Sequence, residues 1–319
     1  MEKENLRIVF MGTPEFAVAT LKALLDGGYN VVAVVTQPDK PVGRHHDTLQ
    51  APPVKQYAVE HGLPVLQPVK MKDEAFVEEL RSYNADLQVV VAFRMLPEVV
   101  WAMPRYGTFN VHAALLPQYR GAAPINWAVI NGEEKTGVTT FFLDHDIDTG
   151  RIIEQREFII PDDADVEYVY DGLMALGAEI ALSTINKVIE GDGYVESVPQ
   201  EEIVNGLSDS TLHHAPKIFK ETCEIHWDAD AKAVYDFIRG LSPYPGAWTA
   251  AVNNTPAMKI YRAAKTGQPV GDTLPGTMII DGKHLYIACQ DLMLEVLELQ
   301  LSGKKRMAAR DFLNGYKAR

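Results

Sequence analysis

The sequence predicts an α/β protein with a doubly wound, mostly parallel sheet, followed by a small barrel of antiparallel strands. Two observations support this prediction. From Leu6 to about Gly150, continuous apolar runs alternate with segments whose apolar residues recur at helical spacing, as in sheets covered by helices on both faces. Beyond about residue 216, several short β-type runs separated by turn formers indicate an antiparallel barrel.

The first region contains the strands and helices of the parallel sheet. LRIVFMGTP, NVVAVVTQPD and ADLQVVVAF are apolar strands, and EFAVATLKALLDGG is an amphipathic helix that stops at a glycine pair. APPVKQYAVEHG and DEAFVEELRSYN are shorter helices on either side of an extended piece, LPVLQP. A long amphipathic helix, DADVEYVYDGLMALGAEIALSTINKVIEG, closes this region. Right-handed crossovers in such a sheet place the ligand crevice at the carboxyl ends of the strands.

The length of 319 residues exceeds what one hydrophobic core usually fills, which predicts two domains. We expect a catalytic domain over residues 1–190, a linker rich in turn formers over 191–208, and a second domain over 209–319. The second domain begins with the helix DADAKAVYDFIRGLS. Its strands are predicted at GAWTAAV, AMKIYRA, GTMIIDG, HLYIACQ and LMLEVLELQ.

The composition excludes several classes of protein. With 47% hydrophobic and 23% charged residues, the chain is typical of globular proteins, and no run of 18 apolar residues predicts a transmembrane helix. Cys223 and Cys289 form no CxxC motif and no disulfide framework, which favours a reducing, cytoplasmic setting. The histidines show no metal-binding spacing, so no metal is expected.

The charge is unevenly distributed along the chain. The net charge of −13 argues against indiscriminate nucleic-acid binding. Residues 1–208 carry 16 lysines and arginines against 31 acidic residues, whereas residues 209–319 carry 14 against 12. The end segment GKKRMAARDFLNGYKAR holds six basic residues and one acidic residue. This basic tail either contacts phosphates or is ordinary solvated surface, and both interpretations stay open at this point.

An amide and an imidazole stand two positions apart in GTFNVHA. Side chains at i and i+2 of a strand share a face, so Asn110 and His112 project together. Prolines and a glycine in the next residues place the pair beside a loop at a strand end. A neutral amide can stabilise a developing oxyanion, and a histidine can move a proton near neutral pH. The alternative is a structural asparagine beside a satisfied core histidine.

Three acidic residues, Asp144, Asp146 and Asp148, follow another apolar strand. Their alternate spacing is typical of a calcium loop, but Thr149 stands where such a loop needs glycine and Gln155 where it needs glutamate. The turn directly after Asp148 makes it the best carboxylate to orient the imidazole. Together these residues indicate acyl transfer to an amine. Because no serine or cysteine nucleophile has a suitable setting, we expect direct transfer without a covalent intermediate.

The sequence resembles the folate-dependent formyltransferases over nearly its whole length. The signature is NVHAALLPQYRGAAPINWAVINGEEKTGV followed by DIDTG at the matching separation. The segments MGTPEFA, TQPDKPVGR, SPYPGAW and LSGKKRM are similar to the methionyl-tRNA-directed branch of that family. The resemblance implies the formyltransferase fold for the first domain and an oligonucleotide-binding β-barrel for the second.

The resemblance also implies a reaction and its partners. A formyl group passes from 10-formyltetrahydrofolate, as cosubstrate, to the α-amine of methionine on charged initiator tRNA. The matching positions make Asn110, His112 and Asp148 catalytic. The folate-contacting stretch is Ala114, Leu115, Leu116 and Pro117, and the tRNA-binding residues are Arg44, Lys304, Lys305 and Arg306. A monomeric cytoplasmic enzyme, without metal and without membrane contact, is expected.

The chain departs from the family pattern at two places. Ala114 stands where the family usually has serine, and His45 and His46 follow Arg44 where the family continues with glycine and lysine. Contacts to the acceptor stem then shift to the histidines or to the second domain.

Three other functions were weighed against this one. A dinucleotide enzyme needs a G-x-G-x-x-G motif, of which only Gly12 is present. A formyltransferase acting on a small ribonucleotide or an amino sugar has no need of a second domain of this size. A non-enzymatic tRNA-binding protein has no need of the Asn–His–Asp set.

Overall fold

The structure is a computed structural model that describes residues 1–43, 46–204 and 211–316. Its helices are α1 (Glu15–Asp26), α2 (Pro53–Glu60), α3 (Glu74–Ser82), α4 (Glu98–Trp101), α5 (Pro124–Ile130), α6 (Val166–Glu190), α7 (Gln200–Val204), α8 (Ala231–Gly240) and α9 (Ala309–Gly315). Its strands in the first half of the chain are β1 (Ile8–Gly12), β2 (Val31–Val35), β3 (Lys40–Val42), β4 (Thr48–Gln50), β5 (Val65–Leu66), β6 (Leu87–Val91), β7 (Thr108–His112), β8 (Arg120–Gly121), β9 (Lys135–Phe142) and β10 (Ile152–Ile159). The later strands are β11 (His214–Ala215), β12 (Ala247–Thr249), β13 (Met258–Pro269), β14 (Met278–Asp281), β15 (His284–Ala288), β16 (Leu292–Leu301) and β17 (Met307–Ala308).

The chain divides into two compact units. The first consists of residues 1–121, 136–158 and 170–214, and the second consists of residues 122–135, 159–169 and 215–319. Each unit is built around its own sheet. The first unit is called the parallel-sheet unit below, and the second is called the antiparallel unit.

A seven-stranded sheet forms the parallel-sheet unit, with the order β10-β9-β7-β6-β1-β2-β5. The strands from β5 to β7 run parallel to one another, and β9 runs antiparallel to β7. The parallel strands are the continuous apolar runs of the sequence, because both of their faces are covered. In the register between β6 and β7, Val90 lies opposite Asn110 and Val91 opposite Val111.

Helices cover both faces of this sheet. On one face a buried cluster joins β1, β2 and β6 to α3, through side chains that include Val9, Val90 and Leu80. On the other face α6 passes over β7, where a Cβ added at Gly177 would lie 3.5 Å from Val111 Cγ1. Among the described residues α6 alone is long and apolar enough to cross a membrane, and 44% of its most apolar window is buried inside the protein, as in a core helix.

The antiparallel unit contains a sheet in the order β12-β13-β16-β15-β14, with β17 paired to β16. Its core lies between this sheet and α8, whose first turn is capped by the Asp230 carboxylate accepting from the Ala233 N–H at 2.7 Å. Cys223 and Cys289 are free and buried, and burial raises the pKa of Cys289 to about 12. The predicted fold class is confirmed, whereas the oligonucleotide-binding type of the barrel stays a prediction.

Candidate active site

Asn110 and His112 lie at the carboxyl end of β7, in the middle of the parallel-sheet unit. Val111 between them is buried toward α6, so the alternation of a strand directs the other two side chains to the opposite face. His112 is 6% exposed, and Asn110 is half-buried. The sheet therefore presents an amide and an imidazole side by side, as the spacing of the two residues predicts.

The His112 ring lies between a backbone carbonyl and a carboxylate. Its Nε2 is 2.8 Å from the carbonyl oxygen of Tyr119, so the ring donates a hydrogen bond there. Its Nδ1 lies 3.7 Å from Asp148 Oδ2, which is ion-pair range but beyond a hydrogen bond. A neutral ring that donates from Nε2 turns an unprotonated Nδ1 toward Asp148, and a protonated ring directs a donor to each partner.

The backbone of Tyr119 is itself fixed. Its N–H donates to the His213 carbonyl at 2.6 Å, and the two side-chain rings stack with centroids 5.5 Å apart. The carbonyl that orients the imidazole thus belongs to an anchored turn. Sequence reasoning gave this role to a carboxylate alone, because a backbone partner leaves no trace in side-chain identity.

Asp148 occupies the turn after β9 in a left-handed conformation, with φ of 57°. Its Oδ2 accepts a hydrogen bond from the Gly121 N–H at 3.0 Å, which is the same oxygen that faces His112. The carboxylate is 11% exposed. Gly121 comes from the loop after β7, so one carboxylate joins the loops that follow two neighbouring strands of the sheet.

Gln200 holds the backbone of this turn. Its Nε2 donates to the carbonyl oxygens of Asp148 and Gly150, each at 2.8 Å, and its Oε1 accepts from the Arg120 guanidinium at 2.6 Å. The side chain is fully buried. Sequence analysis placed this residue in a linker, because a lone glutamine among turn formers gives no signal of burial.

Gly150 permits a very close approach of two backbones at the base of the same loop. A Cβ at this position would lie 1.6 Å from the carbonyl oxygen of Phe142. The Phe142 N–H also donates to the Arg151 carbonyl at 3.0 Å. The two ends of the loop that carries Asp148 are therefore fastened together, and any residue larger than glycine at 150 would force them apart.

Asn110 has a polar atom with no protein partner. Its Oδ1 is buried and has no hydrogen bond to any residue within the described ranges. Such an atom costs about 1–3 kcal/mol of folding free energy, and native structures hold few of them. Because rotation of the amide by 180° presents Nδ2 at the same place, the group can either accept from a ligand or donate to it. This unpaired position fits a side chain reserved for a substrate.

The predicted folate-contacting stretch, Ala114 to Pro117, follows β7 directly. Two side chains from neighbouring strands hold its backbone. The Thr139 hydroxyl donates to the Ala114 carbonyl at 2.6 Å, and Gln155 Nε2 donates to the Leu116 carbonyl at 2.8 Å. Ala114 is fully buried, so the position that usually carries serine shapes this loop from beneath. Thr139 and Gln155 were not singled out from the sequence.

The predicted tRNA-binding residues lie apart from these side chains in the sequence. Arg44 and His45 fall outside the described residues, whereas Lys304, Lys305 and Arg306 are exposed in the turn between β16 and β17 of the antiparallel unit. Arg306 forms an ion pair with Glu298, and its guanidinium lies 4.4 Å from the centre of the Tyr261 ring. The two lysines are the more accessible cations of the three.

The described part of the chain holds no cluster of three or more histidine, cysteine, aspartate or glutamate side chains suited to a metal ion. The nearby Asp144 has an internal role. Its Oδ1 accepts from the Asp146 N–H and from the Thr149 hydroxyl, which fixes the tip of the loop.

Comparisons with known proteins agree with this geometry. Residues 6–185 match the family model described as formyl transferase, and residues 217–317 match the model described as formyl transferase, C-terminal domain. A methionyl-tRNA formyltransferase of Parabacteroides distasonis is 59% identical, covering 99% of this chain and 98% of its own length. One from Bacteroides fragilis is 56% identical, with coverage of 99% and 97%.

A solved structure extends the comparison to the fold. An N-formyltransferase from Helicobacter canadensis, in complex with folinic acid and dTDP-3-aminofucose, superposes with a TM-score of 0.65 at 18% identity, covering 96% of this chain and all of that one. The likeness at this identity concerns the fold alone. With both family models and full-length relatives above 50% identity, the chain belongs to the formyl transferase family.

Proposed function

We propose that this protein transfers a formyl group from 10-formyltetrahydrofolate to the α-amine of methionine on charged initiator tRNA. Its support is the name of the full-length relatives at 56–59% identity, together with the polar side chains at the end of β7. The observation that carries the proposal is the unpaired, buried Oδ1 of Asn110 beside the His112–Asp148 pair. The folinic acid in the Helicobacter canadensis structure supports a folate donor on the same fold.

The amine is the nucleophile. A free α-amine has a pKa of about 7.7–8.0, and the neighbouring ester bond to the tRNA lowers this pKa further, so much of the amine is unprotonated near pH 7. Its lone pair attacks the formyl carbon and forms the new C–N bond. The C=O electron pair then moves onto the formyl oxygen as an oxyanion.

Asn110 and His112 stabilise this oxyanion. The Asn110 amide donates a hydrogen bond to it from the end of β7, and a protonated His112 places positive charge on the same face. A well-placed donor of this kind contributes roughly 3–4 kcal/mol to transition-state stabilisation. Because the amide is already in place before substrate binds, no reorganisation is needed when the charge develops.

The proton leaves the attacking amine and ends on the donor. Since Nε2 of His112 is engaged by the Tyr119 carbonyl, the Nδ1 side facing Asp148 is the side available for proton transfer. The intermediate collapses when the bond from carbon to N10 breaks. The electron pair goes to N10, which receives the proton, and tetrahydrofolate departs.

Several parts of the proposal concern binding. The loop from Ala114 to Pro117 contacts the folate, while Arg44, Lys304, Lys305 and Arg306 contact tRNA phosphates. The exposed position of the two lysines supports this assignment for them. The enzyme works as a monomer in the cytoplasm and needs no metal.

A formylation assay on the purified protein tests the proposal. We expect transfer to methionine on initiator tRNA, less transfer to elongator methionyl-tRNA, and none to a nucleotide-linked amino sugar. Replacement of Asn110 by Ala should lower kcat by about 10²–10³-fold, because one oxyanion donor is lost. The Asn186→Ala variant, which removes an exposed amide on α6, is the matched control and should keep full activity.

Two outcomes would overturn the proposal. Absence of formyl transfer to any methionyl-tRNA would remove the function. Full kcat in the Asn110→Ala variant would remove the proposed oxyanion site and leave the function to other residues.

A further inference from the structure

A cavity of about 670 Å³ opens in the parallel-sheet unit, and the proposed mechanism does not use it. Three segments line it: residues 70–72, the segment that begins with Met95 and includes α4, and His145 of the loop after β9. Its walls are mainly apolar, with Met71, Leu96 and Trp101 among them. Two lysines, Lys70 and Lys72, also line it.

The cavity lies on the same face of the sheet as Asn110. Val90 of β6 is the register partner of Asn110 on β7, and register partners on adjacent strands project to the same face. Val90 packs in one buried cluster with Met71 and Leu96, which line the cavity. The reacting groups and the cavity thus share one side of the sheet.

One loop connects the cavity to the proposed catalytic residues. His145 lines the cavity, and Asp148 of the same loop faces His112. Three residues of extended chain span at most about 11 Å, which sets the upper limit on the separation of these two Cα atoms. A ligand with its reactive atom at Asn110 and a body of one aromatic ring and an amide is long enough to reach the cavity.

The two lysines are held in place from below. Met71 between them is 8% exposed and packs into the core, so the neighbouring side chains point outward. The Arg94 guanidinium donates to the carbonyls of Pro68 and Val69, which fastens this turn to the segment after β6. The lysines are therefore mounted on a fixed piece of backbone.

The same lysines have no ion-pair partner in the described part of the chain. Other lysines of this unit differ, because Lys22, Lys55 and Lys187 are each paired with a carboxylate. The acidic group of the cavity, Glu98, faces His145 at 3.8 Å. Two unpaired cations beside apolar walls fit a ligand that carries both an aromatic ring and carboxylates.

We propose that this cavity receives the glutamyl end of the folate donor, and that Lys70 and Lys72 bind the carboxylates of a γ-linked glutamate chain. The inference rests on the proposed function, since it takes a folate as donor. It assigns the substrate class more narrowly, as folates with several glutamates rather than one. A tRNA phosphate is the less suitable occupant, because a sugar–phosphate backbone has no apolar surface for Met71, Leu96 and Trp101.

Calorimetric binding of tetrahydrofolate with one glutamate and with five glutamates tests the inference without any reaction. The wild-type protein should bind the pentaglutamate roughly tenfold more tightly, the gain expected from two exposed ion pairs. This preference should shrink as salt is raised, because the contacts are solvent-exposed.

The double variant K70Q/K72Q should lose most of the preference, while its affinity for the monoglutamate changes less than about threefold. Lys22→Gln is the matched control, since it removes an exposed lysine that is already paired with Asp26, and it should keep the full preference. Equal wild-type affinity for the two folates, or an unchanged preference in the double variant, would overturn the inference. A drop in tRNA affinity with an unchanged preference would assign the lysines to tRNA and would overturn it as well.

Failure of the inference is distinct from failure of the proposed function. A protein that formylates methionyl-tRNA with equal KM for both donors keeps the function and loses the glutamyl subsite. A protein that binds neither folate loses both.

Discussion

The two units treat buried polar side chains differently. In the antiparallel unit, Arg239 and Asp236 form an ion pair at 2.8 Å, and both are less than 7% exposed. Arg239 also donates to the Ala164 carbonyl, and Lys232 donates to Asp236. In the parallel-sheet unit, Asn110 Oδ1 is buried without a partner in the described residues, and His112 and Asp148 stop short of a hydrogen bond.

This difference separates stability from activity. A buried network with partners on every side holds one conformation, and its loss is felt in the free energy of unfolding. A buried group without a partner makes folding less favourable, so it persists where a ligand completes it. Hydrogen-bond satisfaction therefore distinguishes the structural polar groups of this protein from those assigned to the reaction.

The largest effect is expected from His112→Ala in the parallel-sheet unit. It should lower kcat of formylation by about 10²–10⁴-fold, because a general acid–base group is lost. Steady-state kinetics on charged initiator tRNA measures this. The control is His61→Ala, which removes an exposed ring stacked on Tyr57 and should leave kcat unchanged. Near-normal turnover of the His112 variant would exclude this residue from the mechanism.

Asp236→Asn in the antiparallel unit should reverse the pattern. It leaves the buried Arg239 without its ionic partner and should lower the free energy of unfolding by about 3–5 kcal/mol. Urea unfolding measures the loss, and kcat of the folded variant should stay normal. Asp162→Asn, which breaks an exposed pair with Lys265, should cost at most about 1 kcal/mol. Equal effects of the two variants would contradict the comparison.

Gln200→Leu sharpens the comparison with a residue that positions Asp148 without touching substrate. It should lower kcat by up to about 100-fold through displacement of the carboxylate, with little change in KM for tRNA. Gln200→Glu keeps an acceptor for Arg120 but loses both donors to the loop, so it should fail to restore kcat. Gln56→Leu, at an exposed glutamine, serves as the control. A rise in KM with normal kcat would place Gln200 in tRNA binding instead.

Much of the parallel sheet is predictable from the sequence, because its strands are fully apolar runs. The common face of Asn110 and His112 follows from the period of a strand alone. The direction of β9, which runs antiparallel to β7, was not predictable, since periodicity reports which residues are buried and carries no information on strand direction.

The supports of the site were also beyond prediction. Gln200 approaches Asp148 across 52 positions of the chain, and Thr139 approaches Ala114 across 25. Both are common polar residues, and their burial depends on which distant backbone atoms need a donor. The carbonyl of Tyr119 is a backbone group and has no signature of its own in the sequence.

The fastening of the loop after β9 has a consequence for how the protein can diversify. Its base is closed by Gly150, by the Phe142–Arg151 hydrogen bond and by Gln200, while residues 144–147 at its tip are exposed. Substitutions at the tip, including at His145, can accumulate without moving Asp148. Preference for the donor's tail and the chemistry of transfer are then separately heritable traits, free to drift at different rates among descendants of this gene.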